Sequence, residues 1–220
     1  MSLSGFAVVV FDLDGTIADT APDLAAALNH VLGGLERKPL SQEAVRRLIG
    51  HGTRALLRKG LDATGSVNDS LIDANYPKLM QFYENHICDL TRPYAGVERV
   101  FDELRANGAQ LAVCTNKPER MTRLLIDTLG WHKHFAAIVA GDTLAVCKPD
   151  PAPLKLAIER AGGGPAVFVG DSSIDVETAR SAGVPCILVD FGMSDVPART
   201  LGADCVVDDM GSLVSAICAL

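Results

Sequence analysis

One segment constrains this chain more than any other: Phe6-Ala7-Val8-Val9-Val10-Phe11, followed at once by Asp12-Leu13-Asp14-Gly15-Thr16. An unbroken apolar run with valines at its centre reads as a strand buried on both faces of a parallel sheet. The run ends on two aspartates. In an open α/β sheet the carboxyl ends of the strands border the crevice where ligands bind. Like charges buried together repel and are costly unless something positive lies between them. The pair therefore implies a cation, and chemistry at that cation.

The rest of the chain supports a sheet of that kind. Beyond Tyr94 the pattern alternates. Gln110–Cys114, Phe135–Ala140, Ala166–Val169, Cys186–Val189 and Cys205–Val207 read as strands, with helical spacing of apolar residues between most of them. Strands alternating with helices predict an α/β fold with a doubly wound parallel sheet. Between the first strand and about Leu90 the spacing is helical only. Thr20 is the expected cap of a helix beginning at Ala21, with Asp23 near its positive end. Leu71, Ile72, Leu79, Phe82 and Tyr83 predict a longer helix, kinked or broken at Pro77. The expected division is a core from residues 1–18 and 92–220, with an inserted α-helical cap domain at 19–91 over the crevice.

A chain of 220 residues suits one large domain or a core with an insertion. Its net charge of −7 argues against a nucleic-acid binder. No apolar stretch approaches the ~20 residues of a membrane span, and no signal-like segment opens the sequence. The six cysteines contain no Cys-x-x-Cys pair. They read as reduced thiols, so the expected location is cytoplasmic. The expected assembly is a monomer or homodimer, with no nucleic-acid or membrane partner.

Three further polar clusters follow strand-like runs: Thr115-Asn116-Lys117, Lys148-Pro149-Asp150-Pro151 and Gly170-Asp171-Ser172-Ser173-Ile174-Asp175. In a parallel sheet these ends meet at one edge. The inventory fits phosphoryl transfer. Asp12 suits attack on phosphorus, and Asp14 suits protonation of the leaving oxygen and then activation of water. Thr115 and Lys148 suit the phosphoryl oxygens. Asp12 and Asp171 are hard oxygen ligands that favour Mg²⁺ over zinc. Each cluster alone also reads as a turn, a cap or a solvated loop. An EF-hand loop is excluded, since Ile17 stands where that loop needs glycine.

Together the four clusters resemble the four motifs of the haloacid dehalogenase superfamily, in the same order and over nearly the whole chain. The resemblance implies a Rossmann-like core, a helical cap and a Mg²⁺-dependent aspartyl-phosphate mechanism. It implies Asp12 as nucleophile, Asp14 as general acid/base, Thr115 as phosphate binder and Lys148 as the cation that steadies both. Asp171 would be a metal ligand together with Asp12 and the Asp14 carbonyl, and Asp175 a further acidic position, direct or through water. An aspartate at Asp14 implies a phosphatase or mutase rather than a dehalogenase.

The cap segment Arg46–Lys59 carries five Lys/Arg and no acid, against the overall charge. Its Gly50-His51-Gly52 turn lets the backbone approach a ligand, and the helix start that follows favours anions. Gly50, His51, Gly52 and Arg54, with Thr16 and Asn116, are the expected substrate contacts. The turn, with Thr91–Val97, is similar to that of bacterial phosphoglycolate phosphatases, except that Ala95 stands where proline is more usual. The implied partner is a small phosphorylated anion, 2-phosphoglycolate. β-Phosphoglucomutase-like transfer, a pyrophosphate or sugar-phosphate phosphatase, and a receiver-like phospho-acceptor module are the alternatives. The last predicts a compact domain of ~120 residues without the insertion.

Overall fold

The computed structural model describes residues 5–220; residues 1–4 of the expected first core segment lie outside it. The apolar run forms β1 (Val8–Phe11), all of it buried. A short strand β2 (Ala18–Asp19) follows, then α1 (Ala21–Gly34), α2 (Gln42–Arg46), α3 (Thr53–Thr64) and α4 (Asp69–Asn85). β3 (Arg92–Pro93) then pairs antiparallel with β2, Ala18 opposite Pro93 and Asp19 opposite Arg92. The remainder alternates through α5 (Val97–Ala106), β4 (Gln110–Cys114), α6 (Glu119–Thr128), β5 (Phe135–Val139), α7 (Ala152–Arg160) and β6 (Ala166–Gly170). It ends with α8 (Ser173–Ala182), β7 (Cys186–Val189), β8 (Cys205–Val207) and α9 (Leu213–Ala219).

Six strands form a parallel sheet in the order β5-β4-β1-β6-β7-β8. The chain winds outward from β1 through β4 to β5, crosses to β6 on the other side of β1, and winds outward again. That reversal opens a crevice at the carboxyl ends of β1, β4 and β6. Successive side chains of a strand point to opposite faces, so β1 serves two cores. Val9 and Phe11 pack with Val100, Phe101 and Leu104 of α5 and with Met121 and Leu125 of α6. Val8 and Val10 pack with Leu154 and Ala157 of α7 and Val176 and Ala179 of α8. This α/β, Rossmann-like, doubly wound sheet is the fold expected from the sequence. Helices α1 to α4 pack chiefly on one another.

Two local expectations are corrected. Of the kink or break expected at Pro77, the break is absent: helix α4 runs continuously through it. Pro77 and Asp73, whose carbonyl loses its helical partner there, lie on the exposed face, where water can solvate that carbonyl. Ile72, Leu79 and Tyr83 are buried on the other face and hold the helix in place. Thr20 does not cap α1 with its side chain; its hydroxyl donates to Asp14 Oδ1 at 2.7 Å. Asp23, in the first turn of α1, does more than complement the helix end. Its carboxylate accepts from Leu90 N at 3.0 Å and from Thr91 N and Oγ1, both at 2.7 Å, which fastens α1 to the chain returning toward β3.

Candidate active site

Asp12 follows β1, and its N–H donates to Val169 O of β6, so the sheet itself sets its position. Its Oδ1 lies 3.0 Å from Lys148 Nζ. Burial pushes the Asp12 carboxyl up to about 6, opposed by the Lys148 charge and reinforced by Asp175 and Asp14. Lys148 is only 2% exposed, so it is not the solvated loop lysine that its place before Pro149 would suggest. Its Nζ donates to Asp175 Oδ1 at 2.7 Å. Burial alone would depress this ammonium, but Asp12 and Asp175 hold it above its ordinary value.

Asp171 and Asp175 come from the turn between β6 and the first turn of α8. Asp175 Oδ2 accepts from Asp171 N and Ser172 N, both at 3.1 Å, and from Ser172 Oγ at 2.9 Å. This carboxylate therefore shapes the turn as well as holding Lys148. Asp171 accepts from Thr16 Oγ1 at 3.1 Å and from Met193 N at 2.7 Å. Burial, then the charges of Asp175 and Asp12, raise its carboxyl well above the usual range. Oxygens of Asp12, Asp171 and Asp175 lie within 4.8 Å of one another. All are buried, all are hard donors, and their repulsion needs a counter-charge beyond Lys148. Two glycines leave room around Asp171: a Cβ on Gly15 would lie 2.4 Å from its Oδ2, and one on Gly192 2.3 Å from its Cβ. The donor set fits a divalent cation bound by oxygen. The Asp14 carboxylate is not part of this triad.

Asp14 lines the same crevice but has partners of its own. It accepts from Thr20, as above, and from Lys117 Nζ at 3.0 and 3.3 Å. Lys117 Nζ also donates to Tyr83 Oη of α4 at 2.5 Å. Burial and the Asp14 and Asp23 charges raise the Tyr83 phenol far above its ordinary value, so it remains a neutral hydroxyl. Thr115, after β4, is buried, and its Oγ1 accepts from Lys117 N at 3.3 Å, which leaves its own proton to donate. A pocket lies between these core residues and the helices, walled by Asp12, Asp14, Thr115 and Lys117 on one side and by Gly50, Gly52, Thr53 and Leu56 on the other.

The residues expected to contact substrate divide. Gly50 and Gly52 line the pocket, with φ of +117° and +83°, values that side chains other than glycine rarely adopt. Gly52 caps α3 without a side chain, so no side chain of the cap residue takes up the first N–H groups of that helix, and Gly52, Thr53 and Leu56 at its start line the pocket. The Asn116 amide is spent on structure: it bonds the Lys148 N–H and carbonyl at 2.9 and 3.0 Å and the Gly50 carbonyl at 3.1 Å. It still lines the pocket. His51 lies in an adjoining cleft with Arg47, Lys59, Asp171 and Ser172; burial and Lys59 lower its imidazole from the ordinary value. Thr16 is fully buried and committed to Asp171 rather than open to a ligand. Arg54 is drawn away from the pocket, because its guanidinium pairs with Asp73 of α4 on the exposed face.

Sequence reading gave no role at the site to Lys117, Tyr83 or Thr20, placing Thr20 only as a helix cap and Tyr83 only in a helix. Lys117 did carry a signal, since it lies just past the end of β4 and, like Lys148, precedes a proline; the apolar stretch before Lys148 is a turn rather than a strand, β5 having ended at Val139.

The profile of haloacid dehalogenase-like hydrolases matches residues 9–189. A phosphoglycolate phosphatase of Mesorhizobium japonicum is 40% identical, covering 94% of this chain and 92% of its own. One from Caulobacter vibrioides is also 40% identical, over 91% and 86%. The crystal structure of a predicted phosphoglycolate phosphatase from Haemophilus somnus 129PT superposes with a TM-score of 0.91, at 28% identity over 98% of this chain and 99% of that one. The chain belongs to the haloacid dehalogenase-like hydrolases.

Proposed function

We propose that this enzyme is a Mg²⁺-dependent phosphomonoesterase that hydrolyses 2-phosphoglycolate to glycolate and phosphate. The observation that carries the reading is the buried set Asp12, Lys148, Asp171 and Asp175 at the switch of the sheet, of which Asp12 lines the pocket walled by Gly50, Gly52 and Thr53. The relatives named phosphoglycolate phosphatase support the substrate.

Asp12 attacks phosphorus, and the bond from phosphorus to the ester oxygen breaks as Asp14 gives that oxygen its proton. Water then attacks the aspartyl phosphate, passes a proton to Asp14 and releases inorganic phosphate, which restores Asp12. Lys148 and the Thr115 hydroxyl steady the charge on the phosphoryl oxygens. Asp12 and Asp171, with the Asp14 carbonyl, would hold Mg²⁺, whose charge offsets the repulsion between carboxylate and phosphate. Asp175 acts by holding Lys148 and the turn that carries Asp171. The substrate carboxylate is met by the N–H groups at the start of α3. Residues 19–91 serve as a cap that excludes bulk water from the core of residues 1–18 and 92–220 during the transfer.

A panel of phosphomonoesters with Mg²⁺, run for wild type and Asp12→Asn, tests this reading. Phosphate release should favour 2-phosphoglycolate and vanish in the variant. Release that survives Asp12→Asn would remove the nucleophile from the scheme. Equal rates on sugar phosphates would remove the substrate and leave the mechanism standing.

A further inference from the structure

Lys117 has no task in the reaction above, yet its side chain is wholly buried. An ammonium taken out of water is costly unless it is paired and its protons are placed. Here the pairing is specific. Asp14 takes protons through both oxygens, at 3.0 and 3.3 Å, and the Tyr83 hydroxyl takes another at 2.5 Å. The other lysine at this edge, Lys148, faces Asp12 and Asp175. The two lysines thus divide the carboxylates between them, one for the nucleophile and one for the acid/base.

The partners of Lys117 come from different parts of the fold. Asp14 follows β1, Lys117 follows β4, and Tyr83 lies near the end of α4. It is α4, packed against α1 and α3, that brings the phenol to that ammonium. We propose that Lys117 is a positioning residue for Asp14, and that Tyr83 makes that positioning depend on the seating of α4. With α4 in place, the ammonium is fixed by the phenol, and the carboxylate is fixed between Lys117 and Thr20. With α4 displaced, Lys117 loses its second anchor and Asp14 its direction, so proton delivery to the leaving oxygen weakens while attack by Asp12 remains. This rests on the reading of Asp14 as the acid.

The test separates proton delivery from every other role. Benzyl phosphate and p-nitrophenyl phosphate are similar in size and carry no carboxylate. The first leaves as an alkoxide that needs a proton, the second as a stabilised anion that needs little. For each, kcat/KM reports the steps through cleavage of the ester bond. Lys117→Met should lower kcat/KM for benzyl phosphate on the order of 100-fold, and for p-nitrophenyl phosphate less than about 5-fold. Tyr83→Phe, which removes one hydroxyl from a side chain that otherwise keeps its packing, should show the same selectivity at about 5–10-fold. If Lys117→Met does not fold, as judged by its thermal melt, Tyr83→Phe decides alone. Equal losses on both esters, or none, would make the network merely structural and overturn the inference while the phosphatase reading stands. Wild type that released no phosphate in an Asp12-dependent way would sink both.

Discussion

At the carboxyl edge of the sheet, charges are buried and shared. On the outer face of α3 and α4 they are exposed and matched one to one. Lys148 serves Asp12 and Asp175 together, and Asp175 in turn accepts from three donors of its own turn. Arg54 instead pairs with Asp73, and Arg58 with Asp69. Arg46 and Arg47 are likewise taken, by Asp19 and Glu43. The basic run that stands out in the sequence is therefore mostly balanced by acids elsewhere in the chain. Charges buried at the strand ends share partners in a network; those on the helix face pair off singly in water.

That contrast can be broken at several points. Asp12→Asn should abolish the nucleophile and lower phosphate release by about 10⁴-fold or more, measured at saturating substrate and Mg²⁺. Lys148→Met should be nearly as damaging to turnover, and should also cost stability. It strands two buried carboxylates, a loss of about 3–5 kcal/mol when one partner of a buried pair is removed. Urea unfolding of the chelated protein reads that term; unchanged stability would mean the pair is solvated after all. Asp171→Asn should weaken Mg²⁺ binding on the order of 10–100-fold. The same change removes one of three repelling carboxylates, so the chelated variant should melt no lower than chelated wild type. Wild type should gain melting temperature with added Mg²⁺ far more than the variant does. Arg54→Ala lies at the far end of the scale: KM for 2-phosphoglycolate should stay within about twofold. A larger rise in KM would return that arginine to the pocket and erase the contrast.

Much of this was readable from local pattern. The apolar runs and their alternation with helices carry the sheet, because a strand buried on both faces needs continuous apolar sequence. Asp12, Thr115, Lys148 and Asp171 are legible because each sits beside or just beyond a strand-like run. Long-range pairing is not legible in that way. Lys117 and Asp14 are 103 residues apart, and Lys117 and Tyr83 are 34 apart. Nothing near any of the three announces the others. The Arg54 pair is hidden for the same reason, since Asp73 is 19 residues away on the neighbouring helix. Thr20 looked like a cap because a threonine before Ala-Pro usually is one; a carboxylate six residues earlier competed for its hydroxyl and won. The continuity of α4 through Pro77 depends on which face of that helix is exposed, which composition alone does not reveal.

The pairing of β2 with β3 has a consequence for the family's architecture. Asp19 and Arg92 are directly opposed, so the chain departs from the sheet and returns to it through neighbouring strands. Whatever is threaded between those two residues spans almost no distance at its base. A longer, shorter or differently folded insert would leave the register of β1 against β4 and β6 untouched. The sheet and the bulk of the insert can therefore change separately, and only the few contacts that cross between them, such as Tyr83 on Lys117 and Gly50 on Asn116, have to be kept, like a lock body that accepts different keyways.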